Sequence, residues 1–187
     1  MKKWCRVKLY KQGEQYDYDL PLNDTAIILI DCWDNLVPDQ HRLDIRTLIT
    51  KMRELNIPIV HANHGNISVF DVNDKDIVLH DNYSIKHLPR YLFYAGYETD
   101  KCILGRSCGI PYAIDNNKIP ILIKDLSETI NGYDDLSPYM MRQAAVHIIE
   151  HCYGFTTTFD DVMDALNHTV ITTVKRNIIE IGKVVVK

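Results

Sequence analysis

Two residues whose side chains can work together in nucleophilic catalysis follow apolar runs of this sequence. Asp31 comes directly after the run 26–30, and Cys102 lies shortly after the run 91–95. A cysteine attacks as the thiolate, so a catalytic cysteine needs a nearby group that accepts its proton. The pair therefore predicts covalent catalysis by Cys102, with Asp31 as the general base.

The residues before Cys102 add a physical reason for this choice. Thr99 is of a type that caps helices, and a helix from Thr99 to about residue 114 would hold Cys102 in its first turn. Unpaired N–H groups and the positive end of the helix dipole favour a thiolate there, and the same N–H groups can bind an oxyanion. The other interpretation is that Cys102 only packs in the core, as most free cysteines do.

The elements that would position these residues alternate along the chain. The apolar runs are short and nearly continuous, at residues 26–30, 57–60, 91–95 and 119–123, with a further strand at 155–158. Such runs are typical of strands that are buried on both faces of a parallel sheet. Helices are predicted between and after them, at residues 43–55, 99–114, 138–152 and 159–166.

This alternation predicts an α/β fold: three layers, α/β/α, with a mostly parallel, Rossmann-like central sheet. The active site of such a sheet lies beyond the carboxyl ends of its strands. Outside the pattern, residues 4–10 and 16–20 are expected to form a β-hairpin, and residues 169–187 one or two extra strands. We treat 1–187 as a single domain, with a core of about 24–166 and terminal extensions at 1–23 and 167–187.

Composition excludes several classes of protein. The chain has 187 residues, 46% of them hydrophobic, and a formal net charge of −4, which gives no electrostatic reason to expect nucleic acid or an anionic membrane as a partner. The two lysines near the start precede no apolar stretch, so no signal peptide is expected. Five cysteines without a C-x-x-C pair indicate free thiols rather than a zinc ribbon or a redox pair. We expect a cytoplasmic location.

The segment Gly96-Tyr97-Glu98-Thr99-Asp100-Lys101-Cys102 resembles the G-x-x-T-D-x-C signature of isochorismatase-like cysteine hydrolases. That family contains nicotinamidases and N-carbamoylsarcosine amidohydrolases. Segment 25–31, which ends in Asp31, is similar to the family's first strand with its catalytic aspartate, and 56–60, 118–125 and 154–158 are similar to later strands in the same order. The resemblance covers about 24–166 and indicates a divergent subgroup.

The resemblance implies hydrolysis of a small amide or carbamoyl compound through a thioester. We assign no cofactor. Cys102 would attack, Asp31 would take the thiol proton, and the backbone N–H groups of Glu98 and Cys102 would hold the oxyanion. It also implies a cis peptide bond between Tyr97 and Glu98.

This chain departs from the family's pattern at one catalytic position. The family has a lysine in the motif K-x-x-Y-S, whereas this chain has His80-Asp81-Asn82-Tyr83-Ser84. We predict that His80 polarises the site in its place, although a histidine that is mostly neutral at pH 7 supplies no permanent charge. The alternative is a catalytically degenerate member that binds a small ligand or a protein partner. Ether hydrolysis, found in a branch of the family that does not use the cysteine, is disfavoured by the intact Cys102.

Several side chains are predicted to line the substrate pocket: Trp33, Asn35, His61, His64 and Tyr97. In nicotinamidases two histidines and an aspartate of this region hold a metal, and His61 and His64 would need a carboxylate such as Asp34 or Asp71 to do so. The other interpretation is a polar pocket or a solvated loop, and we assign no metal. The family is often oligomeric, so we expect a homo-oligomer that acts on a small-molecule substrate and binds neither nucleic acid nor membrane.

Overall fold

The apolar runs of the sequence form a parallel sheet, and the remaining strands are added at one of its edges. The computed structural model describes residues 2–33, 37–80, 84–133, 135–175 and 178–183, with the backbone alone from 173 onward. Its strands are β1 Lys2–Lys11, β2 Glu14–Pro21, β3 Thr25–Ile30, β4 Ile59–Ala62, β5 Ile77–Val78, β6 Tyr91–Tyr97, β7 Ile119–Glu128, β8 Phe155–Thr157, β9 Val170–Lys175 and β10 Ile178–Lys183.

The order of the strands fixes where a ligand can bind. The sheet runs β10-β9-β1-β8-β7-β6-β3-β4-β5, and β2 pairs with β1. Strands β3 to β8 are mutually parallel. From β3 the chain first builds outward to β4 and β5, and then returns to place β6 on the other side of β3. In open α/β sheets, ligands bind beyond the carboxyl ends of the strands where the order reverses in this way.

Helices cover both faces of the sheet, as predicted for a three-layer fold. They are α1 Asp39–Glu54, α2 Ile110–Asp115, α3 Pro138–Ile148 and α4 Phe159–Asn167, with single wide turns of π-helix at Thr99–Ile103 and Ile149–Tyr153. Strand β3 is buried throughout, and alternate residues face opposite layers. Ile27 and Leu29 pack with α1 and α4, whereas Ile28 and Ile30 pack with α2 and the two π-helical turns.

The terminal segments belong to the same sheet. The predicted hairpin is confirmed as β1 and β2, and the predicted extra strands as β9 and β10. Strand β1 pairs with β8 at Tyr10 and with β9 at Lys2–Trp4. No helix within the described ranges is long and apolar enough to cross a bilayer.

Three strands run further than the sequence predicted. Strand β4 ends at Ala62, β6 at Tyr97 and β7 at Glu128. Backbone pairing continues there although polar side chains interrupt the apolar run. His61 and Tyr97, predicted to follow strands, therefore lie within them.

The predicted helix 99–114 is wrong as a single element. The chain forms one wide turn at Thr99–Ile103 and then turns before α2 begins at Ile110. Gly109 permits this break, because a Cβ atom there would lie 2.4 Å from the carbonyl oxygen of Ile103. Helix α1 begins earlier than predicted, at Asp39 rather than at residue 43.

Candidate active site

The ends of β3 and β6 meet at the point where the strand order reverses. Residues 25–30 of β3 pair in parallel with residues 91–96 of β6, so that Ile30 lies beside Gly96. Asp31 is the first residue after β3, and the turn that carries Cys102 begins shortly after β6. The sheet topology therefore brings together the two residues that the sequence singled out.

Asp31 is a buried carboxylate next to a cation. Only 1% of the residue is exposed, and its Oδ2 lies 2.6 Å from Nη2 of Arg106. Burial raises the pKa of Asp31, and the neighbouring Cys102 thiol, Arg106 and His64 offset this only in part. Neither carboxylate oxygen receives a well-aligned hydrogen bond from the described residues. A carboxylate with a raised pKa and open lone pairs is suited to accept a proton.

Cys102 is half-buried and interacts with Asp31. Burial raises the pKa of the Cys102 thiol, the Asp31 side chain raises it further, and the Glu98 backbone and Arg106 oppose these effects without cancelling them. The expectation of a thiolate favoured by a helix dipole is therefore wrong: the turn Thr99–Ile103 is too short to provide that dipole, and desolvation dominates. The resting group is a thiol with its base beside it, a pairing in which deprotonation accompanies attack.

Arg106 is a site residue that sequence reasoning missed. Its backbone N–H donates to the carbonyl oxygen of Cys102 at 3.2 Å, one helical turn along the chain. Residues four apart in such a turn lie on the same side, which brings the guanidinium to Asp31. The signal in the sequence was this spacing from Cys102. The resemblance does not point to this residue, because the family places its cation after a different strand.

The turn that carries Cys102 is held by its neighbours. The Glu98 carboxylate lies 2.6 Å from Nζ of Lys101 and accepts a hydrogen bond from Nδ2 of Asn131 at 3.1 Å. The hydroxyl of Thr129 donates to Oδ1 of Asp100 at 2.6 Å. The segment after β7 is thus attached to the beginning of the cysteine turn, through Asn131 to Glu98 and through Thr129 to Asp100. The peptide bond between Tyr97 and Glu98 is cis, as the resemblance implied.

Comparison with known proteins rests on the structure rather than on the sequence. No family model and no curated protein matches the sequence. Among solved structures, a cysteine hydrolase from Pseudomonas syringae matches with a TM-score of 0.61 at 14% identity, over 76% of this chain and 92% of its own. An isochorismatase from Pseudomonas putida matches with a TM-score of 0.62 at 15% identity, over 74% of this chain and 90% of its own. An isochorismatase-like hydrolase from Alkaliphilus metalliredigens matches with a TM-score of 0.59 at 14% identity, over 76% and 96%.

This is the isochorismatase-like fold. Identities this low establish the fold alone. The matches cover most of each known chain but about three quarters of this one.

His80, the residue predicted to replace the lysine of the isochorismatase-like family, lies beyond β5. It is exposed, and no hydrogen bond or ion pair within the described ranges joins it to Asp31 or Cys102. His64, by contrast, lies close enough to Asp31 to lower the pKa of that carboxyl. The catalytic role of His80 stays a prediction.

Trp33, one of the residues predicted to line the substrate pocket, lies between the loops after β3 and β4. It is half-buried, and its indole N–H donates to the carbonyl oxygen of Asn63 at 3.1 Å. Asn35 falls outside the described residues, as does Asp34.

His61 and Tyr97 have partners on other elements. The buried ring of His61 lies 3.3 Å from the Asp76 carboxylate, which also pairs with Arg53. Burial lowers the pKa of His61 and Asp76 raises it in part, leaving it below its usual range. The hydroxyl of the buried Tyr97 lies 2.6 Å from Nδ1 of His41 on α1. Within the part of the chain described here, no three His, Cys, Asp or Glu side chains cluster closely enough to hold a metal ion.

Proposed function

We propose that the protein is a cysteine hydrolase that cleaves a small amide or carbamoyl compound through a thioester. The observation that carries the proposal is the pairing of the Cys102 thiol with Asp31, a buried carboxylate whose pKa is raised, at the reversal of the strand order. Known structures with the same fold are described as a cysteine hydrolase and as isochorismatases, which supports a hydrolytic reaction.

In the first half of the reaction, Asp31 takes the thiol proton while the sulfur attacks the carbonyl carbon. The C–S bond forms and the carbonyl electrons move onto oxygen, where the backbone N–H groups of Glu98 and Cys102 are the proposed donors. The tetrahedral intermediate then expels the nitrogen, which takes the proton from Asp31 and leaves as ammonia or an amine. Cys102 remains as a thioester.

In the second half, water attacks the thioester carbon and Asp31 accepts its proton. The C–S bond breaks, the sulfur recovers a proton from Asp31, and a carboxylic or carbamic acid leaves. Each half moves one proton to Asp31 and one away, so a single carboxylate acts as both base and acid. A raised pKa suits both roles, because it keeps the protonated form accessible.

The test is a screen of small primary amides and carbamoyl compounds for ammonia release. We expect a substrate whose turnover falls at least about 10³-fold in Cys102→Ala, in line with losses of catalytic nucleophiles. The matched control is Cys152→Ala, which removes an exposed thiol outside the site and should retain wild-type turnover. Mass spectrometry after an acid quench should find the acyl group on Cys102.

Two results would contradict the proposal. Turnover that survives in Cys102→Ala would point to chemistry without the cysteine, as in ether hydrolysis. Binding of small amides without ammonia release or an adduct on Cys102 would favour the catalytically degenerate member that binds a ligand.

A further inference from the structure

We propose that Arg106 supplies the fixed positive charge of this active site, a role that the sequence analysis gave to His80. The inference rests on the proposed function, since it assigns a residue to the same thiol and base. It follows from where the guanidinium lies and from the charges that the reaction creates there.

Arg106 is tied to both reacting side chains. Its Nη2 atom lies 2.6 Å from Oδ2 of Asp31, and its backbone N–H donates to the carbonyl oxygen of Cys102 at 3.2 Å. The Arg106 side chain is 21% exposed and that of Asp31 1% exposed, so the pair is shielded from solvent screening. The guanidinium also lowers the pKa of the Cys102 thiol.

The charge on this trio explains why a permanent cation is needed. At rest Asp31 carries −1, Arg106 carries +1 and the thiol is neutral, so the charges sum to zero. When the proton moves to Asp31, the sulfur carries −1 and Arg106 still balances it. Without Arg106 the half-buried site would hold an uncompensated negative charge before and after the transfer, which is unfavourable away from water. A guanidinium keeps its charge at every pH at which a protein stays folded.

Other nearby cations have different partners or positions. His80 is exposed and carries no permanent charge. Lys101, next to Cys102 in sequence, pairs with the Glu98 carboxylate and lies 5.0 Å from the centre of the Tyr133 ring. His64 also lies close enough to Asp31 to lower the pKa of that carboxyl, but a histidine is not a permanently charged side chain. Arg106, in contact with Asp31 at 2.6 Å, carries the fixed charge.

The experiment measures the rate at which limiting iodoacetamide alkylates Cys102 between pH 5.5 and 11.5, mapped by mass spectrometry with the exposed Cys152 as internal reference. We expect Arg106→Gln to raise the midpoint of the pH profile by about one unit, which slows alkylation at pH 7 about tenfold. Arg106→Lys keeps the charge and should stay within about half a unit of wild type. Asp31→Asn should shift the midpoint downward, because Asp31 raises the pKa of the thiol.

His80→Gln and Lys101→Gln are the competing variants, and each should leave the midpoint near its wild-type value. An unchanged profile in Arg106→Gln, or an upward shift in His80→Gln alone, overturns the assignment of Arg106. If Arg106→Gln does not fold by circular dichroism, Arg106→Lys decides: a midpoint raised by a full unit in that folded variant overturns the assignment. If instead Asp31→Asn leaves the Cys102 profile unshifted and no amide is turned over, the proposed function fails and not the role of Arg106 alone.

Discussion

The carbonyl oxygen of Ile30 occupies the space that a side chain on Gly96 would need. A Cβ atom at position 96 would lie 1.9 Å from that oxygen, and Gly96 also has a φ of +125°, which L side chains rarely adopt. The close approach of these two residues brings the end of β6 against the end of β3, and with it the turn of Cys102 towards Asp31. Position 96 of the cysteine motif therefore has to be a glycine, because any side chain there would collide with the backbone of β3.

We expect Gly96→Ala to lower the free energy of unfolding by more than about 2 kcal/mol, because strain at positive φ adds to the clash with the backbone. Urea denaturation measures the change, and alkylation of Cys102 should change with it as the strand ends separate. The matched control is Gly105→Ala, in the exposed segment after Cys102, where a Cβ atom meets nothing within 4 Å. A loss in Gly105→Ala as large as that in Gly96→Ala would contradict this account.

The ionisation of Asp31 should make the protein less stable as the pH rises. Burial raises the pKa of Asp31 above its unfolded value, so the folded state holds the proton more tightly than the unfolded state does. Stability is then lost as the pH rises from the unfolded pKa of about 4 through the folded value. We therefore expect the free energy of unfolding of Asp31→Asn, minus that of wild type, to increase as the pH rises from 4 to 7. Urea denaturation of both proteins across that range measures this difference.

Asp161 is the control with the opposite sign. Burial acts to raise its pKa, but hydrogen bonds from Thr158, Tyr10 and Lys8 outweigh burial, and the pKa ends below its usual value. The stabilisation that ionised Asp161 contributes is present above its unfolded pKa and is lost as the pH falls through its folded pKa. Asp161→Asn should therefore be less stable than wild type at pH 7, by a margin that shrinks below pH 4. If the stability of the two variants relative to wild type changed with pH in the same direction, the raised pKa of Asp31 and the lowered pKa of Asp161 could not both hold.

The segment after β7 should stabilise the cysteine turn through Thr129. This buried hydroxyl donates to the Asp100 carboxylate at 2.6 Å, and Thr129→Val removes the donor while keeping the shape. A hydrogen bond to a charged group contributes about 1.5–3 kcal/mol, so we expect a loss of that order in urea denaturation and an altered alkylation rate of Cys102. Thr47→Val, an exposed threonine of α1, should change stability by less than about 0.5 kcal/mol. Equal effects of the two substitutions would show that the contact does not matter.

The sequence predicted the elements that have strong patterns. Continuous apolar runs identified β3 and β6, and the residues following them identified Asp31 and Cys102, because the carboxyl ends of parallel strands share one edge. Strand ends were less predictable, since backbone pairing carries β4 through His61 and β6 through Tyr97. Within these strands, the His61 side chain contacts Asp76 and the Tyr97 hydroxyl contacts His41 of α1.

Arg106 could not be recognised from the sequence for a related reason. Its role depends on the turn Thr99–Ile103 and the break before α2, and the sequence predicted one continuous helix there. The pKa of Cys102 was predicted in the wrong direction for the same cause: a dipole was assigned to a helix that does not exist as one piece. Desolvation, which decides the direction, depends on packing that a sequence does not display.

The N-terminal hairpin should be part of the folding unit rather than an appended extension. Leu9 of β1 is 1% exposed and packs in the same core as residues of α1 and α4. We expect Leu9→Ala to lower the free energy of unfolding by about 2–5 kcal/mol, as for other large-to-small core substitutions. Gln15→Ala, on the exposed partner strand, should change it by less than about 0.5 kcal/mol.

The two tryptophans report on the two regions separately. Trp4 lies on β1 and Trp33 follows β3, so Trp4→Phe leaves a tryptophan fluorescence signal only from the end of the sheet near Asp31. In that background Leu9→Ala should move the urea midpoint of Trp33 as far as it moves the far-ultraviolet circular dichroism midpoint, because one cooperative unit unfolds in one transition. A Trp33 transition that stays in place while the circular dichroism shifts would mean that residues 1–23 unfold independently of the core that carries Asp31 and Cys102.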